Sequence, residues 1–249
     1  MLLFCARLLR LAAGWIDLAV FTIGIYGLTW LPQSWLRGWY PRLFQSWCRV
    51  FVRALNVDLR LHQKHKQALP RQYLLISNHP SAFEDIGVPA LFNVVSLAKA
   101  DVKNWFIVGR INAAAGTLYV ERESQESRRA ALNNMVAALG QGINVAVYPE
   151  GGCKGRRLFT SFRYGAFEAS IRSGVPILPL FIHYEAQQDF EWQPPYTLLD
   201  KIRHFVTTRN NRANFYVFDP IYPQGFKDGA EFNQHVYALY LGWQAKYLE

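Results

Sequence analysis

The stretch YLLISNHPSAFEDIGVPAL, Tyr73 to Leu91, decides the fold. It opens on an apolar run of strand length and closes on a helical pattern, with Ser-Asn-His-Pro between them. Pro80 cannot continue a strand, and Ser81 is a good residue to begin a helix, so the spacing predicts a strand over Tyr73–Ser77 and a helix over Ala82–Leu91. A strand that turns directly into a helix is the opening of an α/β unit. It sets His79 just past a strand's carboxyl end, where open α/β sheets bind their ligands. Two carboxylates, Glu84 and Asp85, follow five and six residues later. Ser81-Ala82-Phe83-Glu84 also reads as a capping box, in which Glu84 only ties back to the backbone. Successive helical side chains diverge by about 100°, so only one of the two acids can readily face His79.

Working outward, the same alternation recurs. Short apolar runs predict strands over Val94–Ala98, Thr117–Val120, Asn144–Tyr148, Ile177–Ile182 and Phe215–Phe218, and amphipathic runs predict helices over Ser124–Leu139, Ser161–Arg172 and Ala230–Tyr247. The expected class is α/β, with a mostly parallel central sheet flanked by helices. Residues 185–213, with Pro194-Pro195 and a polar, basic run, read as a surface excursion within a domain spanning 55–249.

Residues 1–54 have a different composition. In LAAGWIDLAVFTIGIYGLTWL, from Leu11, the only charge is Asp17, which is a bilayer's length of apolar chain. Arginines flank it on both sides, so no orientation follows, and a re-entrant or monotopic, membrane-associated helical hairpin is expected. In the next segment Arg42, Arg49 and Arg53 form a stripe opposite Leu43, Phe44, Trp47, Val50, Phe51 and Ala54, as on a helix lying on anionic lipid. The chain as a whole is 51% apolar with only 18% charged residues, yet carries a net charge of +9. That balance favours an anionic membrane surface over nucleic acid as the partner, and no nucleic-acid motif is present. Cys5, Cys48 and Cys153 are scattered, odd in number and without CxxC spacing, so neither a disulfide framework nor a metal site is expected. His62 and His65, in HQKH, read as a charged loop ahead of a strand.

Three downstream blocks gather chemistry at the same sheet edge: GTLYVERE from Gly116, VAVYPEGGCKGRR from Val145 and GVPILPL from Gly174. They bring Arg122, Glu150, Lys154, Arg156 and Arg157 to strand ends, an anion site with a histidine beside it. Taken in order with NHPSAFE (Asn78–Glu84), the blocks resemble the four motifs of the glycerolipid acyltransferase family. Those are NHx4D, Gx2[FY]xxR (here GTLYVER), FPEGTxS (here YPEGGCK) and VPIxPV (here VPILPL), over roughly residues 57–182. The resemblance implies a membrane-bound enzyme that moves an acyl group from acyl-CoA or acyl carrier protein to a lyso-lipid hydroxyl. The acceptor it implies first is 1-acylglycerol 3-phosphate, with lyso-ornithine lipid or lysophosphatidylglycerol as alternatives. It implies no cofactor beyond that thioester co-substrate, and a place on the cytoplasmic face of the inner membrane.

The resemblance also implies roles. His79 is the general base, whose pKa lies near working pH, and the motif's acid, Glu84 or Asp85, holds its other ring nitrogen. Arg122 binds the acceptor's phosphate with a planar fork of donors. Asn78, Ser81, Gly116, Glu150, Gly151, Gly152, Lys154 and Arg163 line the substrate site, with the Gly151-Gly152 turn offering backbone amides. VPILPL supplies a buried strand.

Two positions depart from the pattern. Glu84 stands where the family carries aspartate, as in relatives that acylate the lipid A precursor. Gly152 replaces the usual threonine and removes a hydroxyl, which opens the question of the acceptor. A non-catalytic membrane scaffold is the competing class. The motif spacing selects Glu84 over Asp85, and a kinetic comparison tests it. Glu84→Gln is expected to lower turnover by about a hundredfold or more, and Asp85→Asn by no more than about threefold. The reverse ranking would make Asp85 the partner.

Overall fold

The computed structural model describes residues 2–192 and 195–248, with side chains from residue 8 onward, so Cys5 and Pro194 lie outside the described side chains and residues. Among the described residues ten α-helices run in chain order: α1 (Leu2–Leu28), α2 (Gln33–Leu36), α3 (Tyr40–Ala54), α4 (Glu84–Leu91), α5 (Val108–Ala114), α6 (Gln125–Gly140), α7 (Gly165–Ser173), α8 (Gln187–Phe190), α9 (Leu198–Thr207) and α10 (Gly229–Leu248). Seven strands interleave with them: β1 (Asp58–Gln63), β2 (Leu74–Ser77), β3 (Val95–Lys99), β4 (Leu118–Val120), β5 (Val145–Val147), β6 (Ile177–Tyr184) and β7 (Arg212–Val217). They form one sheet in the order β1-β7-β6-β2-β5-β3-β4, parallel throughout except for the antiparallel β6–β7 pair.

Alternation along each strand builds two cores, because successive side chains leave opposite faces of a sheet. Leu74 and Ile76 of β2, Val145 and Val147 of β5, and Ile177 and Phe181 of β6 pack with Met135, Leu139, Phe167, Phe232 and Tyr240 from α6, α7 and α10. Leu75, Ala146, Leu178, Leu180 and Ile182 face the other way, onto Val88, Phe190 and Phe205 from α4, α8 and α9. Strands buried on both faces read as unbroken apolar runs, which is why β2, β5 and β6 are legible. The chain moves from β2 to β3 on one side of the sheet and from β5 to β6 on the other. The direction of winding therefore reverses at β2, where His79 follows.

One polar residue closes a gap in this apolar centre. Pro179, registered opposite Ile76, brings no N–H to the ladder. Beside it the buried Tyr240 hydroxyl reaches the carbonyls of Ile76 (2.9 Å) and Leu180 (3.1 Å) and accepts from the Leu180 amide (3.2 Å).

Residues 185–213 differ from the surface excursion expected. They contain α8 and α9, the latter started by a capping box of Thr197 and Asp200. Their Phe190 and Phe205 are buried against Phe83. The basic residues of α9 concealed its apolar face; even Lys201 is buried, donating to the Asp189 carbonyl. His62 is likewise in a strand rather than a loop. It lies in the half-exposed edge strand β1, stacked on Tyr216 and paired with Asn214 at 2.8 Å, as an inward-turned polar residue on an edge can be.

The N-terminal hairpin is antiparallel. Ile25 O accepts from Tyr40 Oη, Trp47 Nε1 donates to Thr22 Oγ1, and Gly14 lies against Ala54. The apolar face of α3, with Phe44, Trp47 and Ala54, is therefore buried against α1 rather than facing outward, while the arginine stripe remains exposed. Arg49 from that stripe donates to the Ala90 carbonyl of α4, tying the hairpin to the sheet domain. The exposed apolar surface belongs to α1 instead: Leu9, Ile16, Val20 and Ile23 are each more than 60% exposed. α1 is long and apolar enough to cross a membrane.

Replacing Tyr240 by Phe deletes a fully buried hydroxyl that serves two strands. It is expected to cost about 1–3 kcal/mol, measured by denaturant unfolding in detergent.

Candidate active site

Four strand ends converge on one edge. β2 runs into His79, β5 into Glu150 and the glycine turn, β4 into Arg122, and β6 ends at Tyr184. His79 is 5% exposed and is fixed on three sides. Its Nδ1 lies 2.9 Å from Glu84 Oε2, its ring stacks on Tyr148 with centroids 4.2 Å apart, and its backbone N–H donates to Glu150 Oε1 at 2.7 Å.

Glu84 is wholly buried and takes three donors. The Ser81 N–H reaches Oε2 at 3.0 Å beside His79, and the Tyr184 hydroxyl donates to Oε1. The capping reading and the histidine reading are thus both realised by one side chain. The helix itself begins at Glu84, after an α-like Phe83, and Ser81 Oγ accepts from the Phe83 amide, two residues on, rather than from that of Glu84. Burial pushes the Glu84 pKa up, and the hydrogen bonds from Tyr184 and Ser81 oppose that rise. Three converging donors are the surroundings of an ionised carboxylate, which can only accept. Asp85, one residue on, is exposed, and its charge acts on the ring without the hydrogen bond that Glu84 makes.

Burial lowers the His79 pKa, against the opposing pull of the Asp85 and Glu150 charges and with the help of Arg122. The ring is held neutral. With Nδ1–H directed to Glu84, the lone pair sits at Nε2, the geometry of a general base whose imidazolium form has a carboxylate behind it.

The YPEGG turn is built around glycine. Gly151 has φ +75° and Gly152 φ +152°, backbone that side chains disfavour. A Cβ on Gly152 would stand 3.1 Å from a terminal nitrogen of Arg122, and one on Gly151 would stand 3.4 Å from Arg163 Nε. Both guanidinium groups therefore lie over this turn. Glu150 braces the turn instead of facing a pocket, since its two oxygens accept from the amides of His79 and Phe159 (2.7 Å each). Burial raises its pKa. Lys154 holds the His79 carbonyl through its own N–H, at 3.1 Å, and its exposed ammonium lies over the Phe159 ring. Arg156 is paired with Glu191 at 2.9 Å.

Two of the expected lining residues stand apart. Asn78 spends its amide on the Ile182 backbone, donating at 2.9 Å and accepting at 2.7 Å, and so joins β2 to β6 rather than touching a substrate. Gly116 precedes β4 at its amino end, beside Val95 at the start of β3, the opposite edge of the sheet from His79. It needs glycine for its φ of +88°. Tyr148, Tyr184 and Cys153 were not expected at the site. Strand alternation points to the two tyrosines: Tyr148 shares a face with Ala146, and Tyr184 shares one with Leu180 and Ile182.

A cleft of about 400 Å³ between α1, α3 and β1, lined by Arg10, Asp17, Arg53 and Asp58 among others, shares no residue with this cluster. Among the described residues no group of three or more His, Cys, Asp or Glu could hold a metal ion.

The chain is 28% identical over 237 residues to the lyso-ornithine lipid O-acyltransferase of Pseudomonas aeruginosa, covering 93% of this chain and 88% of that protein. It is 24% identical over 136 residues to the 1-acyl-sn-glycerol-3-phosphate acyltransferase of Neisseria meningitidis, covering 55% of this chain and 53% of that protein. The crystal structure of the 1-acyl-sn-glycerophosphate (LPA) acyltransferase PlsC from Thermotoga maritima shares the fold, with a TM-score of 0.60 at 15% identity over 97% of this chain and 96% of that one. The Acyltransferase family model matches residues 58–183, which hold the histidine, its carboxylate, the arginine and the glycine turn, and the chain belongs to that family.

Proposed function

We propose that this enzyme transfers an acyl group from an acyl thioester to the free hydroxyl of a lyso-lipid at a membrane surface. The observation that carries the reading is the buried Glu84–His79 pair at the carboxyl edge of the sheet, with the base's lone pair at Nε2. Nε2 takes the hydroxyl proton as the oxygen attacks the thioester carbon, and Glu84 stabilises the imidazolium that forms. The thiol leaves with that proton. Arg122 and Arg163, over the Gly151-Gly152 turn, hold the anionic group of a substrate.

For the acceptor, the match along nearly the whole chain to a relative named for lyso-ornithine lipid favours that substrate. An ornithine headgroup carries both a carboxylate and an ammonium. The site offers Arg122 and Arg163, over the glycine turn, to the first. Two arginines over one glycine turn suit a phosphate equally well, which keeps 1-acylglycerol 3-phosphate as the second reading.

The enzyme sits on the membrane by α1, whose Leu9, Ile16, Val20 and Ile23 enter the lipid. Exposed Trp30, Trp35, Trp39, Trp105 and Phe106 stand at the interface, with Arg110 stacked 4.0 Å over Trp30. Acyl-CoA or acyl carrier protein reaches it from the cytoplasmic face.

Vesicle-reconstituted enzyme with labelled acyl-CoA, and in parallel labelled acyl carrier protein, tests the acceptor. Lyso-ornithine lipid is expected to exceed 1-acylglycerol 3-phosphate and lysophosphatidylglycerol by about tenfold or more in kcat/KM. A preference for 1-acylglycerol 3-phosphate would transfer the assignment to the second reading, and no transfer to any lyso-lipid would overturn the proposal. The pH profile follows from the lowered pKa of His79. The neutral ring is the active form, so kcat/KM is expected to stay level as pH falls through about 6.5, the ordinary histidine value. Below the depressed pKa it then drops about tenfold per unit. An acid limb centred above 6.5 would mean that His79 is not the group titrating.

A further inference from the structure

The cleft of about 400 Å³ between α1, α3 and β1 has the size of a ligand site and walls of opposite charge. Arg10 and Asp17 line it from α1, Arg53 from the last turn of α3 and Asp58 from the first position of β1. The frame around these side chains is fixed. Gly14 lets the two helices close on each other, since a Cβ there would stand 3.3 Å from Ala54 Cα. Beyond Ala54 the chain leaves α3 through Asn56, at φ +57°, and enters β1. Asn211 holds that turn from both sides: its side-chain amide donates to the Asn56 carbonyl, and its own carbonyl accepts from the Asp58 amide at 2.9 Å. Asp58 is already occupied by Arg60, whose Nε donates to it at 2.8 Å. Among the described residues the side chains of Arg10, Asp17 and Arg53 have no hydrogen-bond or ion-pair partner, so one carboxylate and two guanidinium groups line a common space.

Asp17 is the one charge between Arg10 and Arg37. An ionisable group within such an apolar run is costly and marks a site that supplies its partner. Arg10, Ala13, Gly14 and Asp17 recur at helical spacing and form one stripe, about 100° round α1 from the apolar stripe of Leu9, Ile16, Val20 and Ile23. With the apolar stripe in lipid, the cleft opens sideways at the depth of the headgroups. Two arginines suit a phosphate, and they oppose a bare metal cation. Asp17 on the same wall calls for a positive group joined to that phosphate. The cleft is lined by no aromatic ring, so it lacks the cage that a quaternary ammonium uses, whereas a primary ammonium brings three N–H donors to a carboxylate. We propose that this cleft binds the headgroup of a zwitterionic aminophospholipid, with its phosphate on Arg10 and Arg53, its ammonium on Asp17 and its acyl chains along the apolar stripe of α1. The site is separate from the catalytic one and rests on the seating of α1 in lipid proposed above. A lipid held there joins both helices of the hairpin to the edge strand of the sheet.

Full-length enzyme in detergent is titrated with phosphatidylethanolamine, phosphatidylcholine and phosphatidylglycerol of the same acyl chains, and bound lipid is counted by native mass spectrometry. Phosphatidylethanolamine is expected to bind about tenfold or more tightly than either of the others. Asp17→Asn should erase that preference, and Arg10→Gln or Arg53→Gln should weaken phosphatidylethanolamine by about tenfold. Soluble glycerophosphoethanolamine at equal concentration should not displace the lipid. Equal retention of the three lipids by the unaltered enzyme, which needs no variant to observe, would overturn the proposal. So would a preference that survives Asp17→Asn, tighter binding of phosphatidylglycerol, or displacement by the soluble headgroup. Flotation with vesicles separates the two readings: an enzyme that floats without favouring phosphatidylethanolamine in the titration defeats this site alone, and one that does not float defeats the seating of α1 beneath it.

Discussion

The site depends on one buried carboxylate. Glu84 receives the imidazole of a turn, the amide of a helix approach and the hydroxyl at the end of β6, so three separate parts of the chain are positioned by one group. A buried carboxylate without donors is costly, which means that these partners are also conditions for its being there. The extra methylene of glutamate over aspartate fits this duty. Placed at the first position of α4, the side chain doubles back to reach both Ser81 and His79.

Around that point the sheet supplies placement rather than chemistry. The reversal of winding at β2 leaves a crevice beside His79, and the neighbouring strand ends deliver the glycine turn and, from β4, an arginine long enough to reach it. Backbone amides do much of the bracing: those of His79 and Phe159 hold Glu150, and that of Lys154 returns to His79. The result is a ring of loops around an imidazole whose second nitrogen, Nε2, faces the Cys153 sulfur at 3.4 Å.

Much of this was legible from residues alone, for identifiable reasons. β2, β5 and β6 announce themselves because strands buried on both faces tolerate only apolar side chains, and the choice of Glu84 over Asp85 follows from motif spacing and helical period. Elsewhere the pattern was masked. The chain through β1 alternates at Val57, Leu59 and Leu61, and α9 repeats Leu198, Ile202 and Phe205 at helical spacing, but both runs are short and rich in charge, so neither stands out from the polar chain around it. The apolar face of α3 could equally meet lipid or another helix, and only its pairing with α1 decides between them. The contact of Cys153 with His79 spans 74 residues and leaves no periodic trace at all.

The hairpin's attachment has a mechanical consequence. α4 carries Glu84 at one end and, six residues on, the Ala90 carbonyl held by Arg49 at the other. At 1.5 Å per residue these lie about 9 Å apart along one short helix. With α1 seated in lipid as proposed, the depth and tilt of the hairpin set the height of the imidazole above the bilayer. The bond from Arg49 to Ala90 thus ties the placement of the reacting nitrogen to the placement of the hairpin.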